Sequence, residues 1–472
     1  MNTINIDNFF IKSPLSLSDD VGPVFFTKEK VYRAISYKFE QHTKELIGSG
    51  LINKLIDKGL FPKTEISDRS IDGYAFVIEH ELISPIIYPY EWSPEMLRRA
   101  GECILTINKL ANFYGYELKD AQPYNVLFLY GNPVLVDFGS LVKKECDTAW
   151  LAYEEFINCY CRPLVLIERG FIDIYKHLFL LRGAMNINDL SRVTNRFYGL
   201  IGLRPARVIR NLISAIRRGN TNNTKKTKCL FNNRALNYLI KTALHFKLIP
   251  FKQLNSDALL KLINSYNLKG VSQWSDYHTI AGVYKNDGNI ELTPRMKWVA
   301  NKVESLSPNT VIELAGNQGA LSKAISLIPN IKRVLCTDYD LLAIDQLVLR
   351  TKANDKVYMA CFDFMGDARE SLSKERSNRF KSEMVIALAV THHLALTQGF
   401  TIHSIIETIS SYTSKYLIIE FMPLGLWDGV DAPPIPSWYN EEWFVKGVTQ
   451  YFSIIERIQA EKNRIIFVAE LK

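Results

Sequence analysis

The chain lacks the sequence features of proteins that are stabilised by disulfides or structural zinc, and of proteins that span a membrane. Its seven cysteines are scattered and contain no Cys-x-x-Cys pair, so neither a disulfide framework nor a structural zinc site is indicated. No uncharged apolar run approaches the ~20 residues that cross a bilayer. Residues 1–12 are polar and have no apolar signal-peptide core. We therefore expect a soluble, cytoplasmic protein.

Acidic residues are missing from one long segment. From Leu190 to Ser256 there are fourteen lysines and arginines and no Asp or Glu, an excess larger than the net charge of +8 of the whole chain. Two interpretations stay open: domain-bridging helices with a solvated basic face, or a surface that contacts anions. An anionic membrane surface or a phosphorylated substrate would fit the second interpretation. Nucleic acid is the less favoured partner.

One run, Val311-Ile-Glu-Leu-Ala-Gly-Asn-Gln-Gly-Ala-Leu321, indicates a buried strand, a tight turn and the first turn of a helix. Glu313 lies near the end of the strand, and Gly316 and Gly319 lie where a backbone passes close to a ligand. Glycine turns between strand and helix also arise for packing alone. At the carboxyl edge of a parallel sheet, however, this arrangement holds a nucleotide-like cofactor.

Further strands follow this loop, and polar residues stand at their ends. Asp338 follows an apolar strand about 20 residues beyond the loop, the distance at which an acid commonly meets ribose hydroxyls. Asp363 and Phe364 end the third strand and offer a carboxylate and a ring to a base. The fourth strand, 384–390, leads into His392 and His393, and the fifth is 416–422.

This order resembles the class I S-adenosylmethionine-dependent methyltransferases over roughly Thr293 to Lys472. The resemblance implies an α/β Rossmann-like domain with a mostly parallel seven-stranded sheet. Ala315 replaces the family's first glycine and Asn317 its second. A dinucleotide dehydrogenase is disfavoured, because the Gly-x-Gly-x-x-Gly spacing is absent. By resemblance, the residues that bind S-adenosylmethionine are Glu313, Ala315, Gly316, Asn317, Gly319, Asp338, Asp363, Phe364 and Ala389.

Catalysis is assigned less directly than cofactor binding. An oxygen nucleophile benefits from a general base, and His392 and His393 follow the strand beside which an acceptor would lie. We expect His393, more than His392, to be this base, although capping and packing would also explain the pair. Glu420, at the end of the fifth strand, is a second candidate base. No Asn/Asp-Pro-Pro-Tyr/Phe motif follows strand four, which argues against methylation of a nucleobase amine.

The first half of the chain carries an independent motif. Asp120 and Asn125 have the Asp-x-x-x-x-Asn spacing of a kinase catalytic loop, and Asp137-Phe138-Gly139 follows after a short hairpin. In such sites one Asp orients a hydroxyl, while the Asn and the second Asp bind Mg²⁺ beside the phosphates of ATP. Asp120 is thus a catalytic candidate, and Asn125 and Asp137 are metal-binding candidates. The segment resembles the C-lobe of protein kinases and aminoglycoside phosphotransferases.

The rest of a kinase is poorly represented. No phosphate-covering glycine-rich loop is visible, Arg33 stands where a lysine is expected, and Gln122 also replaces a lysine. Three interpretations stay open: an atypical active phosphotransferase, a nucleotide-binding or inert pseudokinase, and an unrelated fold with the same spacing.

Together the motifs resemble large bacterial methyltransferases similar to rhizobial nodulation methyltransferases. We expect an α+β kinase-like domain at 1–180, a basic helical connecting segment at 181–275 and the methyltransferase domain at 276–472. The expected reaction is O-methylation of a glycan or small hydroxyl-bearing acceptor, with the kinase-like domain presenting or phosphorylating the substrate. The alternatives are a bifunctional kinase–methyltransferase that makes a methyl-phosphate cap, and an RNA or protein methyltransferase. The basic segment allows a position peripheral to the inner membrane.

Overall fold

The computed structural model describes residues 2–3, 20–145, 149–181, 185, 187–194, 201, 203–205, 251–268, 270, 272, 274–285, 289–352, 355–366, 370–427, 429–431 and 433–472. Most of the basic segment Leu190–Ser256 lies outside the described residues, so its predicted partners stay predictions. Chain contacts define two compact units. Unit 1 comprises Met1–Ser84, Leu97–Leu127 and Pro133–Leu268, and unit 2 comprises Pro85–Met96, Phe128–Asn132 and Lys269–Lys472. The predicted domain boundaries after residues 180 and 275 stay predictions.

Short strands and helices alternate in the first 268 residues. The strands are β1 (Asn2–Thr3), β2 (Val24–Phe26), β3 (Lys30–Ile35), β4 (Thr64–Ile66), β5 (Arg69–Ser70), β6 (Phe76–Glu81), β7 (Tyr116–Leu118), β8 (Val126–Leu129), β9 (Asn132–Leu135), β10 (Leu141–Lys143), β11 (Leu203–Pro205) and β12 (Phe251–Gln253). The helices are α1 (Glu40–Gly48), α2 (Leu51–Asp57), α3 (Pro94–Phe113), α4 (Tyr153–Phe156), α5 (Arg162–Glu168), α6 (Ile172–Leu181), α7 (Ile187–Thr194) and α8 (Ser256–Ser265).

Unit 1 contains an antiparallel sheet with strand order β2-β3-β6-β4. Its small core includes Tyr32, Ala34, Ile71 and Val77. Strands β7 and β10 pair antiparallel, so that Leu118 lies opposite Leu141. This pairing brings the segment after β7, which carries Asp120, next to the Asp137-Phe-Gly turn that precedes β10.

The last 200 residues alternate strand and helix more regularly. The strands are β13 (Thr310–Leu314), β14 (Arg333–Asp338), β15 (Val357–Cys361), β16 (Ser382–Ala387), β17 (Thr413–Phe421), β18 (Phe452–Glu461) and β19 (Arg464–Leu471). The helices are α9 (Tyr277–Ile280), α10 (Pro294–Leu306), α11 (Ala320–Ser326), α12 (Leu341–Arg350), α13 (Glu370–Phe380), α14 (Ile402–Ser411) and α15 (Glu441–Tyr451). A single π-helical turn, His393–Thr397, follows β16.

Unit 2 is built on one seven-stranded sheet with the order β15-β14-β13-β16-β17-β19-β18. Adjacent strands from β15 to β17 pair parallel, whereas β19 is antiparallel to both β17 and β18. Four of these strands are buried almost throughout, which explains their continuous apolar runs. The predicted mostly parallel seven-stranded sheet is therefore confirmed.

The strand order determines where a ligand-binding crevice lies in unit 2. The connections from β13 to β14 and β15 run in one direction across the sheet, and the chain then returns to place β16 on the other side of β13. A reversal of this kind leaves a crevice at the carboxyl ends of the strands, where open α/β sheets bind their ligands. The loops after β13, β14, β15 and β16 therefore converge at that edge.

Among the described residues, no helix is both long enough and apolar enough to cross a membrane.

Candidate functional site

The loop between β13 and α11 has a backbone conformation that few side chains tolerate. Ala315, Asn317 and Gly319 have positive φ angles of 55°, 52° and 67°. At Gly316, an added Cβ would lie 2.7 Å from Cys336 Sγ and 3.0 Å from the carboxyl carbon of Glu313. Glycine is therefore required at this position. Non-glycine residues held at positive φ are concentrated at ligand sites, where the surrounding structure maintains the strain.

Asp338 holds this loop from the end of β14. Its carboxylate accepts hydrogen bonds from the backbone N–H of Asn317 at 2.8 Å and of Asp340 at 2.9 Å. Burial raises the pKa of Asp338 to about 6. Each carboxylate oxygen has a second lone pair, so the side chain can still accept a ribose hydroxyl beside the loop.

Glu313 lies beneath the loop and is almost completely buried. Its carboxyl group accepts a hydrogen bond from Ser322 Oγ at 2.5 Å, and burial raises the pKa of Glu313 to about 7. A nearby positive charge would favour the ionised carboxylate. The site is therefore suited to a cationic ligand group.

Asp363 and Phe364 follow β15, as the sequence predicts. Asp363 is exposed and accepts the backbone N–H of Met365 at 2.9 Å, whereas the ring of Phe364 is largely buried. A carboxylate and a ring are thus available at the end of this strand. Their contact with adenine stays a prediction.

A segment that sequence reasoning did not assign to the site contacts the glycine loop. We call residues 272 and 274–278 the cover segment. Asn317 donates its side-chain N–H to the Trp274 carbonyl at 2.8 Å, and Gln318 donates to the Ser275 carbonyl. At its beginning, Ser272 donates to the carboxylate of Asp340 at 2.5 Å. The sequence signal was the run Trp274-Ser-Asp-Tyr277, but only the long-range contacts reveal its position.

The arrangement fits the methionine part of S-adenosylmethionine. The buried Oδ1 atom of Asn317 has no hydrogen-bond partner among the described residues, and such an atom is costly unless a ligand donor or water satisfies it. A ligand ammonium group is one donor of this kind. Glu313, which lies beneath the same loop, supplies negative charge.

The loop after β16 carries the two predicted histidines. Ala389 has a positive φ angle of 51°, and the hydroxyl of Thr391 donates to the Glu420 carbonyl at 2.8 Å. The rings of His392 and His393 lie 4.1 Å apart, and the ring of His393 meets that of Trp274 edge-on at 5.3 Å. Trp274 therefore contacts both the glycine loop, through its carbonyl, and the histidine loop, through its ring.

Burial disfavours the protonated form of both histidines. Burial, followed by the proximity of His393, lowers the pKa of His392 to about 3, and burial also lowers the pKa of His393. His392 is 5% exposed, and its Nδ1 atom has no hydrogen-bond partner among the described residues. His393 is less buried and begins the π-helical turn. Single turns of this kind are frequent at functional sites.

Glu420, the other predicted base, is enclosed by cationic side chains. It is fully buried. Arg295 donates to its two oxygens at 2.8 and 3.0 Å, and Arg464 donates to Oε2 at 2.8 Å. The backbone N–H of Ala389 donates to the same Oε2 at 2.8 Å. These contacts stabilise the carboxylate as an anion, an arrangement that suits a structural anchor better than a base.

The predicted kinase-like residues come together within unit 1. Asn125 donates to the Asp120 carboxylate at 2.6 Å, and Ser140 donates to Asp120 at 3.1 Å and to Asp137 at 2.6 Å. Arg33 forms an ion pair with Asp137 at 3.1 Å. Burial and the charge of Asp137 raise the pKa of Asp120 to about 6.

The neighbours of Asp137 bear on the predicted metal site. No group of three His, Cys, Asp or Glu side chains able to hold a metal ion occurs in the described part of the chain. The Arg33 guanidinium lies against the carboxylate of Asp137, which is where a magnesium ion would bind. Nearby, Gln122 donates to Glu155. Magnesium binding at Asn125 and Asp137 stays a prediction.

Comparison with known proteins gives one relative over nearly the full length. The chain is 25% identical to nodulation protein NoeA of Rhizobium meliloti (strain 1021), over 94% of this chain and 92% of NoeA. No family model matches.

The solved structures that match correspond to about two fifths of the chain. They include the N-methyltransferase NodS of Bradyrhizobium japonicum WM9, 16% identical over 38% of this chain and 97% of NodS, with a TM-score of 0.29. An S-adenosylmethionine-dependent methyltransferase of Clostridium acetobutylicum is 11% identical over 41% of this chain and 98% of that protein, with a TM-score of 0.32. The strand order of unit 2 and the positive φ angles of its glycine loop resemble those of the class I methyltransferase fold.

Proposed function

We propose that this chain transfers the methyl group of S-adenosylmethionine to a hydroxyl group of a glycan or another small acceptor. The observation that carries the proposal is the contact of the His393 ring with Trp274, whose carbonyl accepts a hydrogen bond from Asn317 of the glycine loop. These contacts support a site in which a proton acceptor lies near the cofactor-binding loop.

The residues of the glycine loop and the strand ends have separate binding roles in this proposal. S-adenosylmethionine supplies a methyl group on a positively charged sulfonium. Glu313 and the free Oδ1 atom of Asn317 hold the cationic methionine end, and Asp338 accepts the ribose hydroxyls. Asp363 and Phe364 contact the adenine. Fixing the cofactor in this way supplies rate enhancement through alignment, because methyl transfer requires an in-line approach of the nucleophile.

His393 is the general base of the proposed reaction. Its lowered pKa keeps the imidazole unprotonated at neutral pH, so a ring nitrogen can accept the proton of an acceptor hydroxyl. His392, with a pKa of about 3, is a weaker proton acceptor and is better suited to orient the acceptor through its unpaired Nδ1. Glu420 is already bound by two arginines and a backbone amide.

A glycan acceptor is favoured by the cover segment. Trp274 packs against His393, and Tyr277 in the same segment is 40% exposed. Aromatic rings of this kind can stack on the apolar face of a sugar beside the base. A relative of this chain is a nodulation protein by name, and that name specifies no acceptor.

Calorimetric titration with S-adenosylmethionine tests the cofactor site first. We expect binding by the full-length protein and at least a tenfold weaker affinity for Asp338→Asn, which removes a charge-assisted hydrogen bond to the loop. Methyl transfer from radiolabelled S-adenosylmethionine is then measured on oligosaccharides, phenols, peptides and RNA. Labelling of RNA or peptide alone would overturn the acceptor class, and absence of cofactor binding would overturn the whole proposal.

A second candidate function belongs to unit 1. The hydrogen-bonded set Asp120, Asn125 and Asp137 favours nucleotide binding or substrate presentation by this unit. Because Arg33 already neutralises Asp137, we expect ATP to bind without a requirement for Mg²⁺ and without phosphate transfer. Titration with ATP in the presence and absence of Mg²⁺ tests this. Magnesium-dependent phosphorylation of the methyl acceptor would instead support a bifunctional kinase–methyltransferase that makes a methyl-phosphate cap.

A further inference from the structure

The carboxylate of Glu420 connects two largely buried arginines of unit 2 to the loop after β16, which carries His392 and His393. Three groups donate to it: Arg295 from α10, Arg464 from β19, and the backbone N–H of Ala389 from the loop after β16. Glu420 has no exposed surface, and the side chains of Arg295 and Arg464 are 8% and 16% exposed. Charged hydrogen bonds in so dry a setting are strong and directional.

The contact with Ala389 fixes an unfavourable backbone conformation. At a φ angle of 51°, an alanine is strained, and it persists in this conformation only where its surroundings enforce it. The Glu420 carboxylate is one such constraint, since it accepts the N–H of Ala389 at 2.8 Å. Two residues later, Thr391 donates its hydroxyl to the backbone carbonyl of the same Glu420.

These two hydrogen bonds hold the loop immediately before the histidines. Ala389 and Thr391 are both attached to one residue of β17, and His392 and His393 follow directly. The loop therefore leaves the sheet in one direction, and the ring of His393 meets the ring of Trp274 at 5.3 Å. Without the first attachment, Ala389 is free to return to a negative φ, which would redirect the chain that carries both histidines.

We infer that Glu420 is a positioning residue for methyl transfer: its carboxylate, held by Arg295 and Arg464, fixes the backbone of Ala389 and so places His393 beside the acceptor. This role rests on the proposed function, because it acts through His393. It differs from a role as base, since Glu420 itself neither touches the acceptor nor exchanges a proton. The two arginines are required because a buried carboxylate needs compensating charge.

The chain offers a matched control for this role. Glu461 lies on the exposed side of the same two arginines, 3.6 Å from Arg295 Nε and 3.2 Å from Arg464 Nε, and is 46% exposed. Substitution Glu461→Gln removes one negative charge from the network without altering the contact with Ala389. Substitution Glu420→Gln removes one negative charge and weakens that contact.

The experiment compares the two variants in the full-length protein. Calorimetry measures the affinity for S-adenosylmethionine, and NMR of the histidine rings, assigned with His392→Gln and His393→Gln, reports the position of His393 relative to Trp274. We expect Glu420→Gln to shift the His393 ring signals and Glu461→Gln to leave them unchanged. Cofactor affinity should stay within about threefold in Glu461→Gln. In Glu420→Gln it should fall by no more than about tenfold, because Ala389, which loses one hydrogen bond there, is itself predicted to bind the cofactor.

Methyl transfer to the acceptor identified by the panel gives the second measurement. We expect Glu420→Gln to lower kcat by about 10²-fold, the size of effect produced by a small misplacement of a reacting group. The ascending limb of its pH profile should remain, since His393 is still the base. Loss of that limb would show that Glu420 is the base and would overturn the inference. Equal NMR shifts in both variants would reduce the effect to charge alone and overturn it as well.

A milder variant covers the case in which Glu420→Gln does not fold. Thr391→Val keeps the shape of the side chain and removes only the hydrogen bond to the Glu420 carbonyl, so the His393 signals should shift in the same direction but less.

Amide exchange of the unmodified protein adds an independent measurement, in which the Ala389 N–H should be protected like the amides of β16. Rapid exchange at Ala389 would contradict the inference. Failure to bind S-adenosylmethionine would instead contradict the proposed function, so the two failures are distinguishable.

Discussion

Glu313 is the residue whose protonation should respond most directly to the cofactor. Burial raises the pKa of Glu313 to about 7, so near neutral pH the carboxyl and carboxylate forms coexist. The positive charges of S-adenosylmethionine favour the carboxylate. We therefore expect cofactor affinity to rise as the pH increases from about 6 to about 8, and binding to release a proton near pH 7. Calorimetry in buffers with different ionisation enthalpies measures the released proton.

Substitution Glu313→Gln is the control for this proton release. The variant should bind S-adenosylmethionine more weakly and with little dependence on pH above about 6.5, leaving Asp338, with a pKa of about 6, to contribute at lower pH. Undiminished proton release by the variant would assign the titration to another group. In the unliganded protein the raised pKa of Glu313 acts on stability, which should fall as the pH rises from about 4.5 to about 7.

The two histidines should separate kinetically although they are adjacent. We expect His393→Gln to lower kcat by about 10²–10⁴-fold, the range for loss of a general base, with unchanged affinity for S-adenosylmethionine. His392→Gln should mainly raise the KM for the acceptor, because a group with a pKa of about 3 accepts a hydrogen bond more readily than a proton. Steady-state kinetics on the acceptor measure both effects. The reverse pattern would exchange the two roles.

At the scale of elements, the sequence predicted strands β13 to β17 well because each is a mainly apolar run with polar residues near its end. Strand β18 alternates exposed and partly buried residues instead. Spacing along the chain was also sufficient to predict that the glycine loop follows β13 and that Asp338 ends β14, because the geometry of a strand, a turn and a helix is local. Ala315 and Asn317 stand where the family has glycines, yet both residues keep a positive φ angle.

The cover segment shows why spacing alone could not complete the site. Trp274 lies 43 positions from Asn317 and far from His393 in sequence, and its carbonyl and ring contact these two residues separately. No local periodicity encodes such contacts. The same holds for the pairing of Glu420 with Arg295, which lies 125 positions away; the role of Glu420 as a base stays a prediction.

The cover segment should control how long the cofactor stays bound. Substitution Asn317→Gly restores the family's glycine and keeps the positive φ, but it removes the hydrogen bond to Trp274 and the ligand-facing Oδ1. We expect affinity for S-adenosylmethionine to fall by up to about tenfold per lost hydrogen bond, mainly through faster dissociation. Stopped-flow displacement measures this rate. Trp274→Phe is the matched control, since it keeps the carbonyl, and its dissociation rate should stay near that of the unmodified protein; equal rates in both variants would contradict this role of Asn317.

At the scale of the whole molecule, nothing in the sequence indicated that two segments from the first half of the chain belong to unit 2. Pro85–Met96 and Phe128–Asn132 belong to this unit, although they precede its main portion by well over a hundred residues. Glu91, Trp92 and Tyr130 lie in these segments, and Tyr130 packs against Tyr358 of β15 at 5.2 Å. Hydrophobic periodicity describes one element at a time. It therefore cannot report which compact unit an isolated turn will join.

Glu91 makes it possible to test whether Pro85–Met96 belongs to unit 2, because its carboxylate is fully buried between two arginines of α13. Arg376 donates to it at 2.9 Å, Arg379 donates at 2.8 and 2.9 Å, and Arg379 also lies over the ring of Tyr88 at 4.6 Å. Removal of one partner from a buried ion pair is strongly destabilising, since the remaining charge is left without compensation. A fragment beginning at residue 269 would lack Glu91 while retaining both arginines, and we expect it to be unstable or insoluble.

In the full-length protein, Glu91→Gln should lower the free energy of unfolding of unit 2 by about 3–5 kcal/mol, as measured by denaturant titration followed through loss of S-adenosylmethionine binding. Glu441→Gln is the matched control, because Glu441 pairs with Arg457 at the surface, where the two side chains are 37% and 43% exposed, and exposed pairs contribute about 1 kcal/mol or less. If the two variants lost equal stability, or if the fragment from residue 269 bound the cofactor with full affinity, the segment around Glu91 would be an accessory to unit 2 rather than part of its core. A large difference between the variants would instead mean that the methyltransferase domain is completed by residues from the first half of the chain, and that the two halves cannot be separated at a single point in the sequence.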